Sequence, residues 1–244
     1  MDDAARMICL ADAAAGEVET GMTLGLGTGS TAEAVLRALG RRVAGGLEIR
    51  GVATSRRTAA LAEELAIPLV SLEEVERIDL GIDGADEIDP RLDVVKGRGG
   101  ALLHEKLVAL ACDDYLIVAS SEKLVATLGS RVPIPVEVVP FGRQQTASRL
   151  RRLGFEPQLR TSGGPEGDAP GAETPVVSDG GHVIYDCAIG AMVDVHGLAA
   201  ATKAITGVVD HGLFLGVARS ALVVESDGSV RRLVAPSGPN LGRR

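Results

Sequence analysis

An α/β protein built on a parallel sheet is what this sequence predicts, and three observations predict it. Short apolar runs alternate with amphipathic helical stretches through the first half of the chain. Those runs are Leu-rich or β-branched and lack the period-two polarity of a half-exposed strand, so both faces of the sheet must be covered. The length, 244 residues, suits one large unit or one large and one small.

The elements follow in order. MTLGLG at 22–27 reads as a buried strand, and STAEAVLRALG at 30–40 as an amphipathic helix ended by Gly40. LEIRGVATS at 47–55 is the next strand and RRTAALAEELA at 56–66 the next helix, followed by strands IPLVSL at 67–72 and IDLGID at 78–83. GALLHEKLVALAC at 100–112 is helical and YLIVAS at 115–120 is a buried strand. After about residue 130 the pattern changes. VPIPVEVVPFG carries three prolines and reads as a hinge or edge strand, because proline removes a ladder donor. QQTASRLRRLG at 144–154 is a helix, GHVIYDCAIG at 181–190 a strand, and HGLAAATKAIT at 196–206 a helix. Terminal strands follow with an Asp-Gly turn at 227–228, and APSGPNLGRR is a fraying tail. Residues 161–175, rich in Gly, Pro and acidic side chains, have little to bury and read as a mobile surface loop. In a parallel sheet, ligands bind beyond the C-terminal strand ends, so the loops at 27–31, 54–56, 83–90 and 119–123 should converge on one crevice.

Composition narrows the function. Thirty-three acidic against 25 basic residues, a net charge of −8, argue against a broad nucleic-acid surface. Two Tyr, three Phe and no Trp leave no platform for stacking bases. No apolar run approaches the roughly 20 residues of a membrane span, and the N-terminus is too acidic for a signal peptide; a cytoplasmic protein is expected. Cys9, Cys112 and Cys187 form no CxxC motif and read as buried free thiols. Arg outnumbers Lys 21 to 4, yet Lys96, Lys106 and Lys123 fall within one 28-residue stretch, which directs attention there.

Three segments carry chemistry. GLGTGST at 25–31, between a strand and a helix, offers backbone N–H groups, a helix N-terminus and the hydroxyls of Thr28, Ser30 and Thr31 to an anion; it lacks the third glycine of a dinucleotide fingerprint and the lysine of a P-loop. As an isolated motif it is equally a structural turn. IDGADEID at 82–89 crowds Asp83, Asp86, Glu87 and Asp89 together, a density that suits acid–base work, a metal, or a solvated turn. With His104, His182, His196 and His211 scattered, no metal site is expected. KGRGGALLHEK at 96–106 places Lys96 before a helix and Glu105 in its second turn, where a cation can hold an enolate while a carboxylate moves a proton.

These segments, with PVEVVPFG and GVVDHGLF further on, resemble type A ribose-5-phosphate isomerase in order and spacing over nearly the whole chain. The resemblance implies a Rossmann-like domain with a smaller ferredoxin-like lid, here 1–129 with 207–244, and 130–206 with an insertion at 161–175. It implies interconversion of D-ribose 5-phosphate and D-ribulose 5-phosphate in the pentose phosphate pathway without a metal or cofactor, usually by a dimer or tetramer; a homodimer is expected. By motif, Glu105 matches the general base, Asp83 the carboxylate assisting ring opening, Lys96 the cation at the oxyanion, and Asp86 a site carboxylate. Thr28, Gly29, Ser30, Thr31, Gly84, Ala85, Gly97, Arg98, Gly99 and Lys123 match substrate-binding positions, and Ser55 is placed near the same cleft. Two departures stand out: Arg6 and Met7 lie where many relatives offer a lysine, and His104 where relatives often carry Arg. A CoA-transferase or a sugar-phosphate sensor of the same fold is the alternative.

Overall fold

The computed structural model describes residues 1–162, 174–190 and 194–236. The first half runs α1 (Asp3–Gly16), β1 (Thr23–Leu26), α2 (Ser30–Ala44), β2 (Arg50–Ala53), α3 (Arg56–Glu64), β3 (Ile78–Gly84), β4 (Glu87–Ile88), β5 (Val94–Val95), α4 (Leu102–Ala111) and β6 (Cys112–Ser120). The second half runs β7 (Ile134–Val138), α5 (Arg143–Arg152), β8 (Glu156–Leu159), β9 (Thr161–Ser162), β10 (Thr174–Pro175), β11 (Val183–Ala188), α6 (Val195–Lys203), β12 (Val208–His211), β13 (Leu213–Phe214), β14 (Ser220–Val224) and β15 (Val230–Val234).

The main sheet has the order β15-β14-β6-β3-β1-β2; all its pairs are parallel except the terminal hairpin β14–β15. Alternation along each strand fills both faces. Leu116 and Val118 join α1 and α2 through Leu10, Val35 and Leu39, whereas Ile117 and Ala119 join α4 through Val108 and Ala109. This burial on both sides is why the strands lack a polar period.

The second sheet is antiparallel, in the order β12-β7-β11-β8, with α5 between its first two strands in sequence and α6 between its last two. That is the ferredoxin-like βαββαβ arrangement. Ile134, Val136, Val138, Val183 and Tyr185 cover one face with Ala147, Leu150 and Ala199 from the helices. Strand β12, which the sequence reading starts to assign to the larger unit at 207, pairs here with β7.

Four expectations are corrected. Gly40 does not end α2, which continues to Ala44; it is buried, and a Cβ there would lie 2.9 Å from the Leu65 side chain, so it is a packing glycine, while Gly45 and the positive-φ Gly46 end the helix. The segment 67–72 makes only a single bridge, Gly51 to Leu69, before a 3₁₀ turn at Leu72–Glu74. β7 is an interior strand despite its prolines. Pro135 accepts a hydrogen bond from the N–H of Gly212, so its missing donor faces the side where β12 has already ended. Cys9 is half-buried, whereas Cys112 and Cys187 are buried, and the Cys112 thiol donates to the Val108 carbonyl at 3.1 Å. The expected loop at 161–175 is flanked by the antiparallel pair β9–β10. Its residues 163–173, and the tail from 237, lie outside the described residues.

Candidate active site

A cleft of about 340 Å³ opens at the C-terminal ends of β1, β3 and β6, within the range of small-molecule pockets. The 28–31 loop, the 84–86 turn, Lys96, the 97–99 turn, Glu105 and Lys123, all singled out in the sequence, line it. Asp83 lies directly behind this wall, 1% exposed. Four cations, Arg57, Lys96, Arg98 and Lys123, line the cleft with the carboxylates Asp86 and Glu105; Lys96 also pairs with Asp83 and Arg57 with Glu33, which among the described residues leaves Arg98 and Lys123 as the cations open to an anion.

One wall is the start of α2. Gly29 enters the helix at φ 116, ψ 170, a conformation open only to glycine, and no side chain caps the first turn. The N–H groups of this first turn, uncapped by any described side chain, suit an anion. The Thr28 hydroxyl, in contrast, turns away from the expected anion: it lies 2.8, 2.9 and 3.0 Å from the hydroxyls of Thr54, Ser55 and Thr58. Thr58 and Thr54 in turn donate to the Gly27 and Leu26 carbonyls. This hydroxyl cluster fixes the cradle rather than filling it, and places Ser55 in support of the loop.

The reactive wall is a buried triad of charges. Lys96, 2% exposed, donates to Glu105 Oε1 at 3.1 Å and to the Gly84 carbonyl at 2.7 Å, and its ammonium lies 2.9 Å from Asp83 Oδ2. Asp83 is held by four donors: Lys96, the Tyr115 hydroxyl at 3.0 Å, the Gly84 N–H at 2.7 Å and the Thr28 N–H at 3.3 Å. Among the described residues Glu105 has only Lys96, and its buried Oε2 has no partner there. Burial pushes the Glu105 carboxyl well above the ordinary carboxylate range; Lys96 opposes this shift and the Asp83 charge adds to it. Burial lowers the Lys96 ammonium, but the two carboxylates outweigh it and the net shift is upward. The arrangement therefore joins a fixed cation to a carboxylate with one free oxygen and a raised affinity for protons. Such an arrangement is chemically able to accept a proton beside a cation that could hold an oxyanion.

The acidic cluster divides. Asp86 lines the cleft, accepting from the Arg98 N–H at 3.2 Å, and Asp83 stands behind the wall against Lys96. Glu87 instead accepts from the N–H groups of Gly129, Arg131 and Val132, tying down the chain that enters β7. Asp89 caps its own turn through the N–H groups of Arg91 and Asp93. Among the described residues no group of three His, Cys, Asp or Glu side chains is arranged to hold a metal. Arg6 turns to Asp3 and Glu122 and is not part of the cleft lining. His104 lies on another face of α4, in a hollow of about 510 Å³ whose lining carries Glu73 and Glu74 but no Lys or Arg, so an anion would be repelled there.

Sequence reasoning missed Tyr115, Arg57 and Gly212. Tyr115 stands in register with Gly81, where a Cβ would come within 2.5 Å of its ring; a glycine facing a tyrosine across two apolar strands was the available signal. Arg57 lines the cleft while paired to Glu33 at 2.6 Å. Gly212 accepts from the Lys96 N–H at 2.8 Å, and a Cβ there would lie 2.1 Å from the Lys96 carbonyl.

A doubly covered parallel sheet with a cleft at its C-terminal strand ends, lined by four cations and backed by a buried carboxylate–ammonium pair, defines an α/β protein with a small-molecule site suited to acid–base chemistry. Comparison with known proteins narrows this. Residues 50–228 match the family model for ribose 5-phosphate isomerase A (phosphoriboisomerase A). The chain is 48% identical over 239 residues to ribose-5-phosphate isomerase A of Roseiflexus sp. (strain RS-1), covering 97% of this chain and 99% of that protein. The structure of ribose 5-phosphate isomerase A from Methanocaldococcus jannaschii superposes with a TM-score of 0.87 at 33% identity, over 96% of this chain and all of the other. A D-ribose-5-phosphate isomerase in complex with phospho-erythronic acid superposes with a TM-score of 0.89 at 31% identity, with the same coverage. The chain belongs to the ribose 5-phosphate isomerase A family.

Proposed function

We propose that this protein interconverts D-ribose 5-phosphate and D-ribulose 5-phosphate through an enediolate, as an enzyme of the pentose phosphate pathway. The observation that carries the reading is Glu105: a buried carboxylate at the cleft wall, bonded to Lys96 through one oxygen and free at the other. The α2 N-terminus and Lys123 take the phosphate. Asp83 assists ring opening, and Glu105 removes the C2 proton of the aldose and returns it to C1. Lys96 and backbone N–H groups hold the developing oxyanion, with Asp86 in the same wall. The structure with phospho-erythronic acid supports a phosphorylated acyclic ligand for the family. Charge stabilisation rests on these groups alone, so extensive chelation should leave turnover intact.

The reading extends to the whole molecule: a catalytic unit on the six-stranded sheet, a lid on the four-stranded sheet, and a cytoplasmic homodimer. No described helix is long and apolar enough to cross a membrane. The homodimer follows the family resemblance, and light scattering on the purified protein tests it. The decisive experiment mixes purified protein with ribose 5-phosphate and follows ketose formation together with exchange of solvent hydrogen into C1 and C2. Ketose with exchange is expected. Binding without turnover would make the protein a sensor, and a trapped glutamyl thioester with acyl-CoA would make it a transferase.

A further inference from the structure

The turn 97–100 forms part of the cleft wall, and its geometry is set from the other sheet. Arg160 follows β8 and forks onto Asp186 of β11, with Nε to Oδ2 at 2.9 Å and a second bond from the guanidinium to Oδ1. Its remaining nitrogen donates to the carbonyls of Gly97 at 2.9 Å and Arg98 at 3.1 Å. In a trans peptide the C=O and N–H point in opposite directions. Holding these two carbonyls therefore turns the Arg98 and Gly99 N–H groups the other way. The first donates to Asp86, and the second has no partner among the described residues and belongs to the cleft wall. Gly97 and Gly100 both have positive φ, at 105° and 83°. A turn flanked by two such glycines is free to flip its peptides, and a flip would present a carbonyl oxygen to a developing oxyanion. The opposite face of the lid sheet lies against the same turn: a Cβ on Gly97 would reach Pro135 at 3.4 Å, and one on Gly100 would reach Ile184 at 3.8 Å.

We propose that Arg160, oriented by Asp186, is a positioning residue of the isomerase, locking the 97–99 peptides so that the Gly99 N–H faces the reacting end of the sugar. The inference rests on the isomerase reading above. Arginine suits the role because one planar fork satisfies a carboxylate and two carbonyls together; an ammonium has one point of charge to offer.

The test measures turnover, KM and affinity for an enediolate-mimicking hydroxamate in Arg160→Met, Arg160→Lys and Asp186→Asn. In Arg160→Met, turnover should fall by about 10–100-fold with KM changed less than about three-fold, and the hydroxamate should lose more affinity than the substrate. Arg160→Lys should recover only part of the loss, and Asp186→Asn should shift the same parameters in the same direction. Circular dichroism and thermal melting establish that each variant is folded; if Arg160→Met does not fold, Arg160→Lys and Asp186→Asn carry the test. Folded variants with parental turnover, or with equal weakening of substrate and hydroxamate, would overturn the proposal. A parent protein that does not convert ribose 5-phosphate would overturn the isomerase reading instead, and that result is read before any variant is made.

Discussion

Helix α4 carries two consecutive charged residues into two ion clusters, one buried and one part-buried, and the clusters are opposite in design. Glu105 enters a group in which two carboxylates share one ammonium, and one carboxylate oxygen is left bare. Lys106 enters a group in which two ammoniums share one carboxylate. It bonds Asp210 Oδ1 and the His211 carbonyl, both at 2.5 Å, while Lys203 bonds Asp210 Oδ2 at 3.0 Å. Burial alone would raise the Asp210 carboxyl, but the two lysines and the His211 N–H outweigh it and hold it at about 2. Burial pushes the neighbouring His211 imidazole down to about 4, with Lys106 adding to the shift, so at neutral pH it brings no third cation. One fold thus separates reactivity from cohesion. A cluster with an excess of proton acceptors and an unsatisfied oxygen is poised to move a proton, whereas one whose acceptors are all filled ties α4 to β12 and α6.

The sharpest way to break this contrast is Glu105→Gln. It keeps the shape and the bond to Lys96 but removes the base, so turnover should drop by roughly 10²–10⁴-fold with substrate affinity nearly unchanged. Near-parental turnover, measured by ketose formation, would move the base to Asp83 or Asp86. Next in size is Lys96→Ala, which should slow turnover and weaken a hydroxamate mimic more than substrate; equal weakening would demote Lys96 to ground-state binding. Lys96→Arg should not rescue, because the space between Asp83, Glu105 and the Gly84 carbonyl is fitted to one small cation. Lys106→Met should show the reverse behaviour. Denaturant titration should find about 1–3 kcal/mol of lost stability, with turnover within a few-fold of the parent. Loss of turnover as deep as that of Glu105→Gln would erase the distinction between the clusters.

The smallest effects are those of pH on stability, and the two clusters should give opposite signs. Asp210 is held below its ordinary value of 3.8, so its contribution is full above that value and is lost as pH falls through about 2. Glu105 is held above its ordinary value of 4.5, so its ionised form costs stability, and the cost grows as pH rises from there through the raised value. Glu105→Gln should therefore gain in melting temperature over the parent at about pH 9 more than at about pH 5. A gain of equal size at both would show that Glu105 is not strained by burial.

Alternating apolar runs and helical stretches were enough to locate β1, β3, β6 and α2 to α6, because a buried parallel strand and an amphipathic helix are local patterns. Two local signals misled. Gly40 carries the residue type of a helix stop, yet it sits inside α2 because Leu65 needs the room. The prolines of β7 suggest an edge, yet only the end of β12 decides whether a missing N–H matters.

The chemistry divides along the same line. Residue types and order determined that an anion cradle, a lysine and several carboxylates would stand at strand ends, since loop position follows from the alternation of elements. Tertiary structure decided which of Asp83, Asp86, Glu87 and Asp89 would stand at the cleft, because each finds its partners 12 to 55 residues away or in its own turn. It also brought in Tyr115, Gly212 and Arg160, whose partners stand on other strands or across the two sheets. Proton affinity in a buried group depends on how many donors surround each oxygen, and a linear chain records the donors without recording which of them will meet.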